Sequence, residues 1–379
     1  MLPVVRIVIA PHSFAGSLPA DEVASAIATG IRRVLPGAEL VLRPVADGGE
    51  GTVAAALRAG WSARTVRVSG PDGTPVEATY AVDGATAVLE LASAAGRGLL
   101  HRPAPLTAGT RGVGELVLAA LDEGARRIVL GLGGSASTDG GAGMLQALGV
   151  RLTDGDGADI GPGGAGLATL ARIDPAGLDL RIAATEVVVA TAVDNPLTGP
   201  AGAAAVFGPQ KGATADHVAV LDAALARYAS LLARTSGAWV ERRQGAAAAG
   251  GTAAGAMALL GARVVSGAEL VCDLIRLDEA FTGADLVITG EGALDEQTLR
   301  GRAPAEVARR AAAAGVRCVA LAGVVRLAPD RLAPAGFAAA SALTEVEPDV
   351  ARRLAAPAAV LAELAGRMIV AALPADGPR

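Results

Sequence analysis

RIVIAPHSFAGSLPADEVASAIATGIRRVLPGAELVLRPVADGGEGT, residues 6–52, reads as strand, loop, helix, strand, loop. The first strand runs from Arg6 to Ala10 and ends in the polar loop Pro11 to Ser17. The helix spans about Pro19 to Leu35, with Asp21 and Glu22 in its first turn, where negative charge complements the helix dipole. A second strand, Glu39 to Pro44, ends in Ala46-Asp47-Gly48-Gly49-Glu50-Gly51-Thr52. This β-α-β unit sets polar loops at the carboxyl ends of its strands, where open α/β sheets bind ligands.

The last hundred residues repeat the rhythm. Strands Leu286 to Thr289 and Cys318 to Ala322 flank a helix from about Pro304 to Ala314. A strand at Phe337 to Ala340 and a closing helix near Pro357 to Ala372 follow. The middle differs: short alternating segments at Thr65–Ser69, Val76–Tyr80 and Ala87–Leu91, with turns at Pro71-Asp72-Gly73 and Asp83-Gly84, predict an antiparallel portion. A helix near Gly114 to Glu123 and a strand from Arg127 to Leu132 come next, then a Gly-rich loop opening a helix. The pattern predicts two α/β domains with a ligand cleft between them. Residues 1–64 plus 281–379 would form a Rossmann-like domain from both chain ends. Residues 65–280 would form an inserted mixed α/β domain.

Composition narrows the function. The 379 residues suit two domains. Although 52% are hydrophobic, no stretch reads as a membrane span; the uncharged run from Gly245 to Ala262 is mostly Ala and Gly and predicts a closely packed helix behind a Gly loop. No cleavable leader pattern is read, and Cys272 and Cys318 lack metal-type spacing, so a cytoplasmic protein with buried thiols is expected. A net charge of -5 with 2% aromatics argues against nucleic acid as a partner. A small-molecule enzyme, monomeric or homodimeric, fits these bounds. Of 33 basic residues Lys211 is the only lysine, which suggests a place where a compact ammonium matters, or else a surface survivor.

The run Gly131-Leu132-Gly133-Gly134-Ser135-Ala136-Ser137-Thr138-Asp139-Gly140 follows a strand and opens a helix. Free amides and small residues there make either an anion site or a tight structural turn. It is neither a Walker A motif nor a strict G-x-G-x-x-G.

The surrounding motifs are more specific. Ser13-Phe14 and Gly16-Ser17-Leu18, Pro44 through Thr52, Gly133-Gly134-Ser135, Met144 through Gly149, Asn195-Pro196-Leu197, Phe207 through Gly212, Val287 through Gly292 and Asp295-x-Gln297-Thr298 resemble the bacterial glycerate kinase family, in family order along nearly the whole chain. The resemblance implies a flavodoxin-like domain plus a second α/β domain, and phosphorylation of glycerate or a related hydroxy acid with ATP and Mg²⁺ as cofactors.

Phosphoryl transfer depends on positioning and charge neutralisation. The residues supply candidates for both. Gly133, Gly134, Ser135, Lys211, Gly290 and Arg302 are candidates for the nucleotide, and Glu291 and Asp295 for the metal. Asp47, Glu50 and Asp139 are candidate catalytic acids, and Ser13, Ser17, Arg111, Asn195 and Glu90 candidate substrate contacts. Each has a plainer reading: Asp47, Glu50 and Asp139 as caps or helix-start acids, Arg111 as a surface ion pair, Glu90 as a strand-edge charge.

The chain departs from the family where charge is expected. The family's Asp-Ser-Phe/Tyr-Lys is His12-Ser13-Phe14-Ala15, an Asp is replaced by Ala192, an Asn by Thr138, an Arg by Ala293, and a Lys by Arg302. The Gly245–Gly251 tract also has a Gly replaced by Ala. These changes leave an alternative: a repurposed enzyme of the same fold, without cofactors, doing acid/base chemistry such as cyclisation, dehydration or isomerisation. His12 would then be a catalytic acid.

Overall fold

The computed structural model describes residues 4–14 and 16–372, so Ala15 lies outside the described residues. The strands run, in chain order, β1 (Arg6–Ile9), β2 (Glu39–Leu42), β3 (Ser62–Ser69), β4 (Pro75–Asp83), β5 (Thr86–Glu90), β6 (Arg127–Gly131), β7 (Arg151–Thr153), β8 (Arg172–Asp174), β9 (Glu186–Thr191), β10 (Arg263–Ser266), β11 (Leu286–Leu294), β12 (Cys318–Val325) and β13 (Ala339–Ala342). The chain divides into two compact units. One takes the residues through Asp47, Ala54–Gly60 and those from Gly267 on; the other takes Gly48–Val53 and Trp61–Ser266. Sequence reading places the crossings at 64/65 and 280/281. The short stretch Gly48–Val53 goes with the second unit because its glycines lie directly on the backbone after β6, as described below.

In the first unit five parallel strands form a sheet of order β13-β12-β11-β1-β2. Numbered within that unit, this is the 2-1-3-4-5 order of flavodoxin-like sheets, with its switch point between β1 and β11. Both faces are covered, so β1 is apolar throughout its buried length. Ile7 and Ile9 enter a core with Ile27, Ile31, Leu361 and Ile369, while Val8 enters one with Val271, Val307 and Phe281. Helix Ala20–Val34 presents Val23, Ile27 and Ile31 inward and carries Asp21 and Glu22 in its first turn and Arg32 and Arg33 in its last, so its charges follow the dipole. It crosses helix Pro357–Ala372 at Gly30, where a Cβ would fall 1.9 Å from the Ala362 carbonyl oxygen.

The second unit has a six-stranded sheet of order β10-β9-β6-β5-β4-β3. Strands β10, β9, β6 and β5 are parallel; β5, β4 and β3 form the antiparallel part. The β3–β4 turn is closed by Gly70 N donating to Thr74 O at 2.7 Å and Thr74 N donating to Asp72 Oδ1 at 2.9 Å. Strands β9 and β10, the small pair β7–β8 and helix Ala215–Ser236 went unread in the sequence. That helix had a legible start, the capping box of Thr214 and His217, and buried positions Leu221, Leu225, Tyr228 and Leu232 on one stripe. The Ala/Gly tract forms helix Ala248–Leu259, whose first residues Ala249, Gly250 and Gly251 are left-handed. No helix among the described residues is long and apolar enough to cross a membrane.

Candidate functional site

Parallel pairing fixes where the first unit gathers its polar groups. His12 follows β1 and donates its backbone N–H to Gly290 O at 2.8 Å, so it stands beside the end of β11 at the switch point. A Cβ at Gly290 would fall 1.9 Å from Leu321 O on β12, so this glycine is demanded by strand packing. Glu291 follows it, buried, and accepts from Thr298 Oγ1 at 2.5 Å. His12 Nε2 lies 3.6 Å from Asp47 Oδ1, which is ion-pair distance but not a hydrogen bond, and it has no other partner. Nδ1 is 3.3 Å from Ser13 O.

Burial of His12 disfavours its charged form, but the carboxylates of Asp47 and Glu291 outweigh it and the pKa rises above the ordinary 6.5. Burial pushes Asp47 up, yet His12 and Arg302 carry it below the usual carboxylate value. Glu291 goes the other way: burial raises it more than Thr298, His12 and Arg302 lower it. The result is an imidazole and a carboxylate that each favour the charged form of the other, beside a carboxylate of raised basicity. Asp295 accepts Gln297 N at 2.8 Å and so closes the turn carrying Thr298; Ser17 Oγ donates to Phe14 O at 3.1 Å and closes the first loop. Among the described residues no three or more His, Cys, Asp or Glu are grouped to hold a metal ion.

The second unit builds a different pocket. Gly133, Gly134 and Ser135 leave β6, with Gly134 at φ +66°. A Cβ on Gly133 would fall 2.5 Å from Gly49 Cα, and one on Gly134 would fall 2.1 Å from Glu50 Oε1. The two Gly-rich loops therefore lie in contact, with the Glu50 carboxylate over Gly134. Glu90 ends β5 in register with Gly131 and accepts Val53 N at 2.5 Å. Burial, with the Glu50 charge adding to it, drives Glu90 up to about 7 against the pull of backbone amides.

An open pocket of about 480 Å³ lies along this loop. Its lining combines polar groups of Gly133, Gly134, Ser135, Arg97, Gln210 and Lys211 with the apolar side chains of Leu132, Val193, Phe207 and Ala249. Arg97, Gln210 and Lys211 also line a neighbouring pocket of about 350 Å³. Lys211 is buried and its ammonium donates to Ser137 O. Burial brings it down to about 7, with Asp139 opposing and Arg97 reinforcing the fall. Among the described residues neither Lys211 nor Arg97 has a carboxylate within ion-pair distance.

Asp139 is fully buried and accepts four hydrogen bonds, from Thr110 N (2.9 Å), Thr110 Oγ1 (2.8 Å), Gly141 N (3.1 Å) and Gly143 N (3.2 Å). Arg111 is largely exposed and pairs with Glu115 at 3.2 Å; Asn195 Nδ2 donates to Ala201 O at 2.9 Å. Of the sequence candidates, His12, Ser13, Asp47, Gly290, Glu291 and Arg302 are thus neighbours in one unit, and Glu50, Glu90, Gly133, Gly134, Ser135 and Lys211 in the other. Arg97 and Gln210 were missed. Arg97 had a signal in its flanking glycines Gly96 and Gly98; its N–H donates to Gly134 O at 2.9 Å. Of the departures, Ala192 is exposed, Ala293 sits within β11, and Thr138 is buried with its hydroxyl unpartnered.

A flavodoxin-like sheet with charged groups at its switch point, joined in one chain to a mixed sheet with a Gly-rich pocket lined by Arg97 and Lys211, defines the class: an α/β protein with a pocket of the kind that small molecules occupy. The chain belongs to the glycerate kinase family, whose model matches residues 7–373. It is 47% identical over 326 residues to a glycerate kinase of Bacillus subtilis (strain 168), covering 84% of this chain and 85% of that one. It is 47% identical over 308 residues to glycerate 2-kinase of Escherichia coli (strain K12), covering 80% and 81%. A crystal structure from Salmonella typhimurium LT2, described as a glycerate kinase 2, superposes with a TM-score of 0.82 at 42% identity, covering 97% of this chain and 98% of that one.

Proposed function

We propose that the protein phosphorylates glycerate, or a closely related hydroxy acid, from ATP. The observation that carries this reading is Lys211. A sole lysine, buried without a carboxylate partner against a Gly-rich loop, suits an anionic ligand that supplies the missing charge. In this reading the amides of Gly133–Ser135 receive phosphate oxygens, Lys211 and Arg97 neutralise them, and Gln210 adds a donor. The apolar side chains of the pocket take the base.

The first unit handles the acceptor. Glu291, raised in pKa, accepts the proton of the reacting hydroxyl, while the His12 cation holds Asp47 ionised. Asp47 fits Mg²⁺, which uses one or two carboxylates and completes its shell with water and phosphate. That ion would neutralise charge on the transferring phosphoryl group. Asp139 serves as a brace, tying Thr110 to the turn at Gly141–Gly143. Arg111, Asn195, Ser17 and Asp295, occupied by local partners, are left to shape their loops.

The test is turnover by the purified protein with Mg²⁺-ATP and D-glycerate, followed by ADP release and ³¹P NMR of the product. ADP and a phosphoglycerate should form together, and only when the acceptor is present. If ATP is neither bound nor consumed with glycerate or other short hydroxy acids, the kinase reading fails.

A further inference from the structure

Among the described residues only Ala249 and Arg276 combine a side chain with a left-handed backbone. Ala249 has φ 52° and ψ 47° and begins a run of three left-handed residues with Gly250 at φ 67° and Gly251 at φ 90°. A Cβ makes this conformation costly, and glycine carries no such penalty. The surroundings hold the turn in place. Gly250 O accepts Gly140 N at 3.0 Å, and Ala249 O accepts Thr252 Oγ1 at 2.8 Å. Gly251 N donates to Ala247 O at 3.1 Å. A Cβ on Gly250 would fall 2.1 Å from Ser137 O, so the turn is pressed against the loop that receives Lys211.

Glycine would serve this backbone better, and the two following positions use it. What alanine adds at 249 is one methyl group. Ala249 is half-buried: it packs against the core of its unit and also lines the 480 Å³ pocket together with Leu132, Val193 and Phe207. The pocket lining thus combines apolar side chains with the cationic Arg97 and Lys211.

We propose that the Ala249 methyl is a specificity element: it completes the apolar lining that receives the base of a nucleotide, and the chain tolerates a strained residue to keep it there. This rests on the nucleotide reading of the pocket. Backbone strain retained at a ligand site, where the surrounding structure over-determines it, is a known pattern.

The experiment measures melting temperature and calorimetric affinity for two probes, Mg²⁺-ATP and inorganic tripolyphosphate, which lacks a base. Ala249→Gly should melt roughly 2 °C higher. It should bind ATP about fourfold more weakly, as expected for one lost buried methyl. Tripolyphosphate affinity should not change. Arg276→Gly, exposed in the other unit, relieves the same kind of strain and should leave both affinities alone.

Unchanged ATP affinity in Ala249→Gly overturns the proposal. So does an equal loss for both probes, which would mean that the turn matters and the methyl does not. A lower melting temperature removes the strain argument. If wild-type protein binds no ATP, the nucleotide reading falls and takes this inference with it; if ATP binding is lost in Lys211→Ala yet intact in Ala249→Gly, only this inference fails.

Discussion

The pKa directions of single residues follow from what each touches, and Glu90 shows how far this reaches. Its carboxyl is buried at the end of β5 with the Glu50 charge nearby, and although the amides of Val53, Gly51 and Thr52 pull the other way its pKa is about 7 against an ordinary 4.5. The folded chain therefore holds that proton more tightly than the unfolded chain. Glu90 contributes stability below about pH 4.5, and that contribution is lost as pH rises through 7. Glu90→Gln keeps the acceptor for Val53 N without a charge. At pH 8 it should be more stable than the parent by roughly 1–2 kcal/mol, with the advantage gone near pH 4. Urea midpoints across this range measure it, and a variant less stable at pH 8 would show that the Glu90 charge is well solvated or paired. Sequence marked Glu90 through its place after an apolar strand. Nothing in the sequence showed that Glu50 would lie near it.

At the scale of elements, the glycines separate two kinds of demand. Gly134 is left-handed and in contact with another loop, whereas Gly290 has an ordinary backbone and is required because β12 runs beside it. Sequence reading assigned both to the nucleotide from their motifs alone, and only the strand pairing tells them apart. Gly290→Ala should cost about 1–3 kcal/mol, since a methyl 1.9 Å from Leu321 O must push β11 off β12. Chemical denaturation of the variant gives the number, and a neutral result would mean that these two strands can part without cost. The first β-α-β segment was legible because its periods are clean: Ile7 and Ile9 alternate with Val8, and Val23, Ile27 and Ile31 follow a helical stripe. Strands β7 and β8 were illegible because three residues cannot display a period.

On the scale of the whole molecule, the proposed function gives the two units separable tasks, and variants should separate them as well. Lys211→Ala should weaken Mg²⁺-ATP binding at least tenfold, as loss of a desolvated cation facing an anion does, with little change in melting temperature. His12→Ala should leave ATP affinity within about twofold while turnover with glycerate falls on the order of 10²-fold. Calorimetry and steady-state kinetics on the same two preparations decide it. Equal loss of nucleotide affinity in both variants would contradict this division of labour.

Sequence alone determined the α/β class, the Gly-rich loops, the family motifs and the identity of the charged groups, because apolar periods and turn residues are written locally. Tertiary structure decided which of those groups work together. His12, Asp47 and Glu291 are far apart in sequence, and parallel pairing of β1 with β2 and β11 sets them side by side. Arg97 joins Lys211 because its backbone pairs with Gly134, and Asp139 is spent on Thr110 and two glycine amides. Burial and long-range hydrogen bonds choose the protonation states, and neither is a property of a residue until the chain has folded around it.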